Sequence, residues 1–377
     1  PINRLAKALL DAGAIGPVHL FIQSSSGGGE RVIITPWRHR KESGGIVTIV
    51  DPNPYMMYLP FLPEVAAGSL EARSAVAPFQ QFLKDTESLS GRVIGIDHDK
   101  RVATVASIND GPVFEVPYDE IVLAGGSNTR TFPIPGLADK AIGMKTIEEA
   151  VSVRNWVLER IEVASLLKDE DARRRALTFV VVGAGPTGLE LVGQLAEICH
   201  RTLVDSYQHI DTTQARILLV EGLGQVMPPF SEKLGRSAQR QLEELGVEVR
   251  LNSMATDVDA ESITLTVKGQ EPERIEADTK IWAAGVQAAG IGKIVADKAG
   301  AEADRAGRIT VQDDLTLPGH PEIFFVGDMV AKVPGVAQNA MQTGTHAGET
   351  IARRTVGLDS TEPYEYHDKG SFAIIAR

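Results

Sequence analysis

Short apolar runs rich in β-branched residues recur along the chain, and each stops at a glycine or an acid. Residues 46–50 (IVTIV) run into Asp51, and 118–124 (YDEIVLA) run into Gly125 and Gly126. Residues 179–182 (FVVV) meet Gly183, 215–220 (ARILLV) meet Glu221, 276–284 (EADTKIWAA) meet Gly285, and 321–326 (PEIFFV) meet Gly327 and Asp328. The four apolar residues Phe179 to Val182 have the length and β-branched content of a buried parallel strand. Helical patterns alternate with the apolar runs over 3–12, 147–167, 189–198, 231–245 and the later part of 334–354. Strand-helix alternation of this kind predicts an α/β fold.

Smaller elements fill the intervals. Residues 92–97, 101–106 and 114–116 predict a β meander turning at Asp99-Lys100 and Asp110-Gly111. Residues 247–251 and 263–267 predict strands, 75–83 a short helix, 168–175 a charged solvated connector, and 301–317 a strand pair turning at 304–308. Residues 364–377 predict a loop and a short strand. Near the start, 18–22 suits a strand, 23–30 (QSSSGGGE) a flexible stretch and 37–45 a polar loop.

The richest local pattern is 179–193, FVVVGAGPTGLELVG. Gly183, Gly185 and Gly188 stand at GxGxxG spacing between a strand and a helix. The first glycine permits the tight turn, the second lets backbone approach a pyrophosphate, and the third lets helix pack on strand. The helix N-terminus, beginning around Pro186 and Thr187, offers oriented N–H groups to phosphates. Glu221, ending the next strand, suits the ribose-binding acid. It follows the loop at a greater distance than the roughly 20 residues of the compact unit.

Two half-units recur. Each has a strand ending in an acid, Asp51 or Glu221, and a later strand entering glycine, at Gly125-Gly126 or Gly285. Two dinucleotide domains in one chain imply a relay between two cofactors, with hydride passing from a nicotinamide to a flavin. Other features stay open on the residues alone. Residues 53–68 (NPYMMYLPFLPEVAAG) line a cofactor or lipid-like substrate site, or fill a core. Asp328 accepts from a sugar or ribitol hydroxyl, or caps a turn. Gln338 and Gln342, four apart on an Ala-rich helix, are surface residues or donors to a carbonyl-bearing ligand.

Composition narrows the chemistry. A length of 377 residues allows two or three domains. A net charge of −12 argues against nucleic acid as partner. The single cysteine, Cys199, excludes an internal disulfide, a CxxC pair and a cysteine-built metal cluster. It reads as a packing residue, and no metal site is expected. No run has the 18 or more apolar residues of a spanning helix.

Several of these stretches together resemble the type II NADH dehydrogenases, single-subunit NADH:quinone oxidoreductases that pump no protons. The resemblance rests on 51–68, VGAGPTGLELVG at 182–193, IWAAGV at 281–286, FFVGD at 324–328, AQNAMQ at 337–342 and DKGSFA at 368–373. It implies two Rossmann-like domains, the second inserted in the first. Residues 1–140 would begin the FAD domain, with 1–45 atypical, and 141–176 would form a linker helix. Residues 177–295 would bind NADH, and 296–377 would complete the FAD domain and carry the quinone-side helix.

The resemblance further implies Asp328 on the FAD ribitol, Glu190 near the nicotinamide and Glu221 on the NADH ribose, favouring NADH over NADPH. Gln338, Gln342 and Lys369 would serve the flavin and quinone head group, with Asp51, Gly125, Gly126, Gly285, Gly327 and Ala337 as further cofactor contacts. It implies peripheral attachment to the cytoplasmic face of an energy-transducing membrane and allows a homodimer. Two departures stand out. The family's first strand and GxGxxG do not precede the helix at 3–12, and the family's membrane-anchoring region does not follow the DKG motif. Competing expectations are a ferredoxin- or rubredoxin-type reductase and a non-enzymatic NADH-binding redox sensor that has lost FAD. Sulfide:quinone oxidoreductases and disulfide reductases need more cysteines than this chain has.

Overall fold

The structure, a computed structural model, describes residues 32–35, 47–83, 86–130, 132–355, 357–358 and 362–375. The elements expected over 3–12, 18–22, 23–30 and 37–45 lie outside the described residues. The strands used below are β1 (Val32–Thr35), β2 (Thr48–Asp51), β3 (Glu87–Asp97), β4 (Val102–Ser107), β5 (Val113–Pro117), β6 (Glu120–Leu123), β7 (Thr178–Val182), β8 (Arg216–Val220), β9 (Val247–Arg250), β10 (Ser253–Val258), β11 (Ser262–Val267), β12 (Glu273–Glu276), β13 (Thr279–Trp282), β14 (Thr316–Leu317) and β15 (His320–Phe325). The helices are α1 (Ile147–Leu166), α2 (Pro186–Glu197), α3 (Glu232–Glu244), α4 (Gly290–Ala299) and α5 (Ala337–Thr355).

The chain divides into two compact units. One comprises the described residues up to Tyr58 with Val76–Asn128 and Val286–Gly370; the other comprises Leu59–Ala75, Thr129–Gly285 and Ser371–Arg377. The segment 53–68 is thus shared out, with Leu62–Ala67 forming a helix that packs on α1 and α2 of the second unit.

The second unit holds a five-stranded sheet in the order Ile142–Gly143, β13, β7, β8, β9, parallel at every pairing. Val180, Val182, Leu218, Val220 and Trp282 join one core. Their sequence neighbours Phe179, Val181, Ile217, Leu219 and Ile281 are fully buried too. Burial of both alternating sets is what an uninterrupted apolar run predicts. Strands β10, β11 and β12 form a separate antiparallel sheet.

The first unit holds an eight-stranded sheet in the order β14, β15, β6, β1, β2, β3, β4, β5. Strand β15 runs parallel to β6 and β2 runs parallel to β3, while β3, β4 and β5 make the expected antiparallel meander. Strand β1 sits between β6 and β2 and is antiparallel to both. A core around Val50, Leu123, Phe324, Phe325 and Ile351 supports this sheet.

Local details correct several expectations. The short helix expected over 75–83 is a strand, Val76–Pro78, followed by a helix of only Phe79–Phe82. Pro78 holds φ −60° and ψ 136°, and proline also keeps its predecessor extended, so the helix starts after it. The expected connector 168–175 contains a helix, Glu170–Ala176. Asp169 caps it by accepting the Ala172 N–H at 2.8 Å, acids occupy the first turn and arginines the last, which suits the helix dipole. Strands β10 and β12 and helix α4 were not expected. The strand expected within 364–377 is not formed among residues 362–375.

Helix α1 buries Ile147, Ala150, Val153, Val157, Ile161 and Ala164, a stripe at helical spacing. Its start is fixed by a capping box: Thr146 Oγ1 accepts the Glu149 N–H at 3.1 Å, and Glu149 Oε2 accepts the Thr146 N–H at 3.0 Å. Thr146→Ala is expected to cost about 1 kcal/mol in denaturant unfolding, while Thr146→Ser stays close to the parent. Equal losses from both substitutions would move the cause from the cap to the threonine methyl group.

Candidate functional site

In the second unit, β7, β8 and β13 run parallel, so Gly183, Glu221 and Gly285 arrive at one sheet edge from three parts of the sequence. The glycines divide the work. Gly183 has φ +108°, and a Cβ there would sit 2.7 Å from the Ala284 backbone. Gly188 lies in the first turn of α2, where a Cβ would sit 1.9 Å from the Gly183 carbonyl oxygen. Gly185, the N-cap of α2, has nothing within 4 Å of its missing Cβ. Pro186 opens the helix, Thr187 follows, and the open space lies over the N-terminus. That is the cradle a pyrophosphate needs.

Glu221 completes this edge. Its Oε2 accepts the Ala184 N–H at 2.8 Å and its Oε1 accepts the Leu223 N–H at 3.0 Å. The acid is therefore tied to the glycine loop itself, which answers the long crossover: strand pairing, not sequence distance, brings it there. Glu190, further along α2, is half-buried and accepts the Ile374 N–H at 3.1 Å. Burial, with a smaller contribution from the charge of Glu64, raises its carboxyl to about 7, against the Ile374 hydrogen bond. Glu64 is a residue the sequence did not single out. Its Oε2 is buried without a partner among the described residues.

In the first unit, Asp51, Gly125-Gly126 and Gly327 end β2, β6 and β15 at a common edge, since β2 and β6 are both antiparallel to β1 and β15 is parallel to β6. Asp51 is buried and accepts the Asn53 N–H at 2.7 Å. The Gly125 N–H faces Met329 Sδ at 3.0 Å, a weak acceptor, and Gly126 has φ +65°. Asp328 accepts from Ser127 Oγ at 2.8 Å, and the Gly327 N–H donates to Thr343 Oγ1 on α5 at 2.9 Å.

Helix α5 opens with Ala337 and Gln338. Gln338 Oε1 accepts the Lys369 N–H at 3.0 Å, and its Nε2 donates to the Gly370 carbonyl. Gln342 accepts the His367 N–H and donates to the His367 carbonyl, both at 2.9 Å. Lys369 itself is exposed. Asn339, between the two glutamines, is fully buried. Its Oδ1 accepts from the Tyr364 hydroxyl at 2.7 Å, and its Nδ2 has no partner among the described residues. A buried amide donor left unpaired costs about 1–3 kcal/mol, so it marks a place for a ligand acceptor. Asn339 was legible only as one letter of AQNAMQ. The signal that could have found it is the i, i+4 pair Asn339–Thr343 on an otherwise small-residue face.

The sequence-predicted residues thus gather in two sets. Gly183, Gly185, Pro186, Thr187, Gly188, Glu190, Glu221 and Gly285 belong to the second unit; Asp51, Gly125, Gly126, Gly327, Asp328, Ala337, Gln338, Gln342 and Lys369 belong to the first. The second set of donors and acceptors fits the sugar and ring ends of a flavin dinucleotide, with the Asn339 donor in want of an acceptor. Cys199 is buried, and burial pushes its thiol up to about 12. Among the described residues no group of His, Cys, Asp and Glu is placed to hold a metal ion, and no helix is long and apolar enough to cross a membrane.

Known proteins share this architecture. The pyridine nucleotide-disulphide oxidoreductase family matches residues 26–344. The type II NADH:quinone oxidoreductase NdhA of Mycobacterium tuberculosis is 38% identical over 377 residues, 97% of this chain and 79% of that protein. Ndh, of the same name and organism, is 37% identical over 336 residues, 88% of this chain and 73% of that protein. The solved structure of NDH2 from Plasmodium falciparum in complex with NADH superposes with a TM-score of 0.80 at 19% identity, covering 88% of this chain and 83% of that one. The two glycine-and-acid edges, and kinship over most of both lengths, make this chain a member of the type II NADH:quinone oxidoreductases within the pyridine nucleotide-disulphide oxidoreductase family.

Proposed function

We propose that the protein oxidises NADH in its second unit and, through FAD held by its first unit, reduces a quinone by two electrons without pumping protons. The observation that carries this reading is two acid-and-glycine sheet edges in a chain whose one cysteine is buried. Two dinucleotide sites make a relay, and without an accessible thiol the relay has no disulphide step. When bound, FAD supplies the chemistry that links a hydride donor to a two-electron acceptor.

The chain's own residues bind, orient and set charge. Gly183, Gly185, Pro186, Thr187 and Gly188 receive the NADH pyrophosphate on the N-terminus of α2. Glu221 has further lone pairs for ribose hydroxyls and repels a 2′-phosphate, which selects NADH. Gly285 lets backbone approach the nicotinamide end, and Glu190 stands beside it as a carboxyl that titrates near neutrality. In the first unit Asp51 holds the adenosine ribose and Asp328 the ribitol, with Gly125, Gly126 and Gly327 admitting the cofactor closely. Ala337 and Gln338 lie towards the ring, and Gln338, Gln342 and Lys369 form the quinone side, where a lysine ammonium stabilises negative charge on either ring. A lipophilic acceptor also calls for attachment to the surface of a quinone-bearing membrane, with a homodimer as the assembly.

Anaerobic rapid mixing tests the reaction. NADH should bleach the flavin absorbance band of the purified protein, a short-chain quinone should restore it, and NADPH at the same concentration should do little. A flavoprotein reduced by NADH but reoxidised only by a ferredoxin would sink the quinone assignment, and a colourless protein that still binds NADH would sink the enzyme.

Gly185→Ala adds a methyl group to open space in the ligand-free protein. Stability should change by less than about 1 kcal/mol while NADH affinity falls at least tenfold, as read by calorimetry. Gly188→Ala should lose both, because its Cβ meets the Gly183 carbonyl.

Glu190 gives a pH-dependent expectation. Its carboxyl is raised from 4.5 to about 7 in the folded protein, so the folded state holds more protons than the unfolded state between those values. Stability therefore falls as pH rises through that window, and the penalty is complete above it. Glu190→Gln cannot ionise and keeps an oxygen for Ile374. Its denaturation midpoint should gain on the parent between pH 5 and pH 8; a difference independent of pH would remove burial as the cause.

A further inference from the structure

The segment Glu362–Gly370 pairs with no strand among the described residues, yet both backbone groups of His367 are hydrogen-bonded by one side-chain amide, that of Gln342. One helical turn earlier, the amide of Gln338 takes the Lys369 N–H and the Gly370 carbonyl. The spacing explains why this works. Four residues of helix rise about 6 Å, and two residues of extended chain advance about 6.6 Å. Glutamines four apart on α5 reach His367 and Lys369 on a segment running antiparallel to it, and the chain then turns at Gly370 (φ +84°), whose N–H donates to Asp368 Oδ1 at 2.9 Å. Each amide offers one donor and one acceptor, as a neighbouring strand would.

Other contacts fasten the same segment. Tyr364 donates its hydroxyl to Asn339 and its N–H to the Asp313 carbonyl, the latter at 2.7 Å, and Glu362 pairs with Arg353 at 2.8 Å. Apart from Asp313, these partners lie on α5, from Gln338 to Arg353. The glutamine amides are thus spent on the backbone of His367, Lys369 and Gly370.

We infer that Gln338 and Gln342 are positioning residues: their amides hold Glu362–Gly370 as a strap along α5 and so fix Lys369, instead of contacting the quinone themselves. This rests on the quinone-side assignment made above for Lys369, and it changes the role of the two glutamines within it.

The test is a double-mutant cycle joined to hydrogen exchange on the full-length flavoprotein. Gln342→Met keeps bulk and helix propensity but removes the amide. Amide exchange across 366–370 should accelerate at least tenfold, and kcat/KM for a short-chain quinone should fall about tenfold. On a Lys369→Ala background the same substitution should cause no further fall in kcat/KM, because its effect acts through Lys369. Gln338→Met should behave alike. Losses that multiply on the Lys369→Ala background would overturn the inference in favour of direct contact or general damage. Unchanged exchange across 366–370 would overturn it as well. Exchange is measured without quinone, so if the parent protein reduces no quinone at all, the acceptor assignment fails while the strap is still judged by its exchange.

Discussion

Parallel pairing of Thr178–Val182 with Arg216–Val220 and Thr279–Trp282 is the constraint on which the glycine-and-acid edge of the second unit depends. It aligns strand ends, so residues separated by long crossovers become neighbours at one edge. Without it, Glu221 has no reason to meet the glycine loop. With it, the carboxylate accepts the Ala184 N–H and bonds the second strand to the turn that follows the first. Acid and loop are then placed by the same hydrogen bond, and a ribose and a pyrophosphate can be read as one ligand.

The first unit shows what happens when one part of that pattern is changed. Its outer members repeat the second unit: an acid ends one strand, glycines end the next two, and all three meet at a common edge. The seat between Thr48–Asp51 and Glu120–Leu123 corresponds to the seat of Thr178–Val182, but Val32–Thr35 fills it in the opposite direction. Its C-terminal end points to the other edge, so the described part of this seat brings no strand-to-glycine turn to the edge where Asp51, Gly125 and Gly327 stand. A run such as VIIT lacks the alternation that would fix its register and face.

What the sequence made legible follows from how local the physics is. The strand ends, the glycine loop, the meander turns and α1 are written in runs and turns of a few residues, and they appear as expected. Helix Glu170–Ala176 was also written locally, in Asp169 and the charge order, but its high charge resembled a solvated connector. Strands Ser253–Val258 and Glu273–Glu276 were hidden because a small antiparallel sheet mixes polar residues into both. Glu64 and Asn339 were hidden for a different reason. Their significance lies in an unpartnered buried atom, and a missing partner is a property of the fold, not of any window of sequence.

Electron flow is restricted by the same economy of groups. The family to which the chain belongs is named for disulphide chemistry, which needs a thiolate that can attack and leave. Cys199 is fully buried, and its thiol, pushed up to about 12, stays protonated at neutral pH. A lone thiol in that state can neither pair nor store electrons. The protein therefore has no redox group of its own, and both donor and acceptor must exchange electrons with the bound cofactor. That places the specificity of the reaction in what reaches the cofactor.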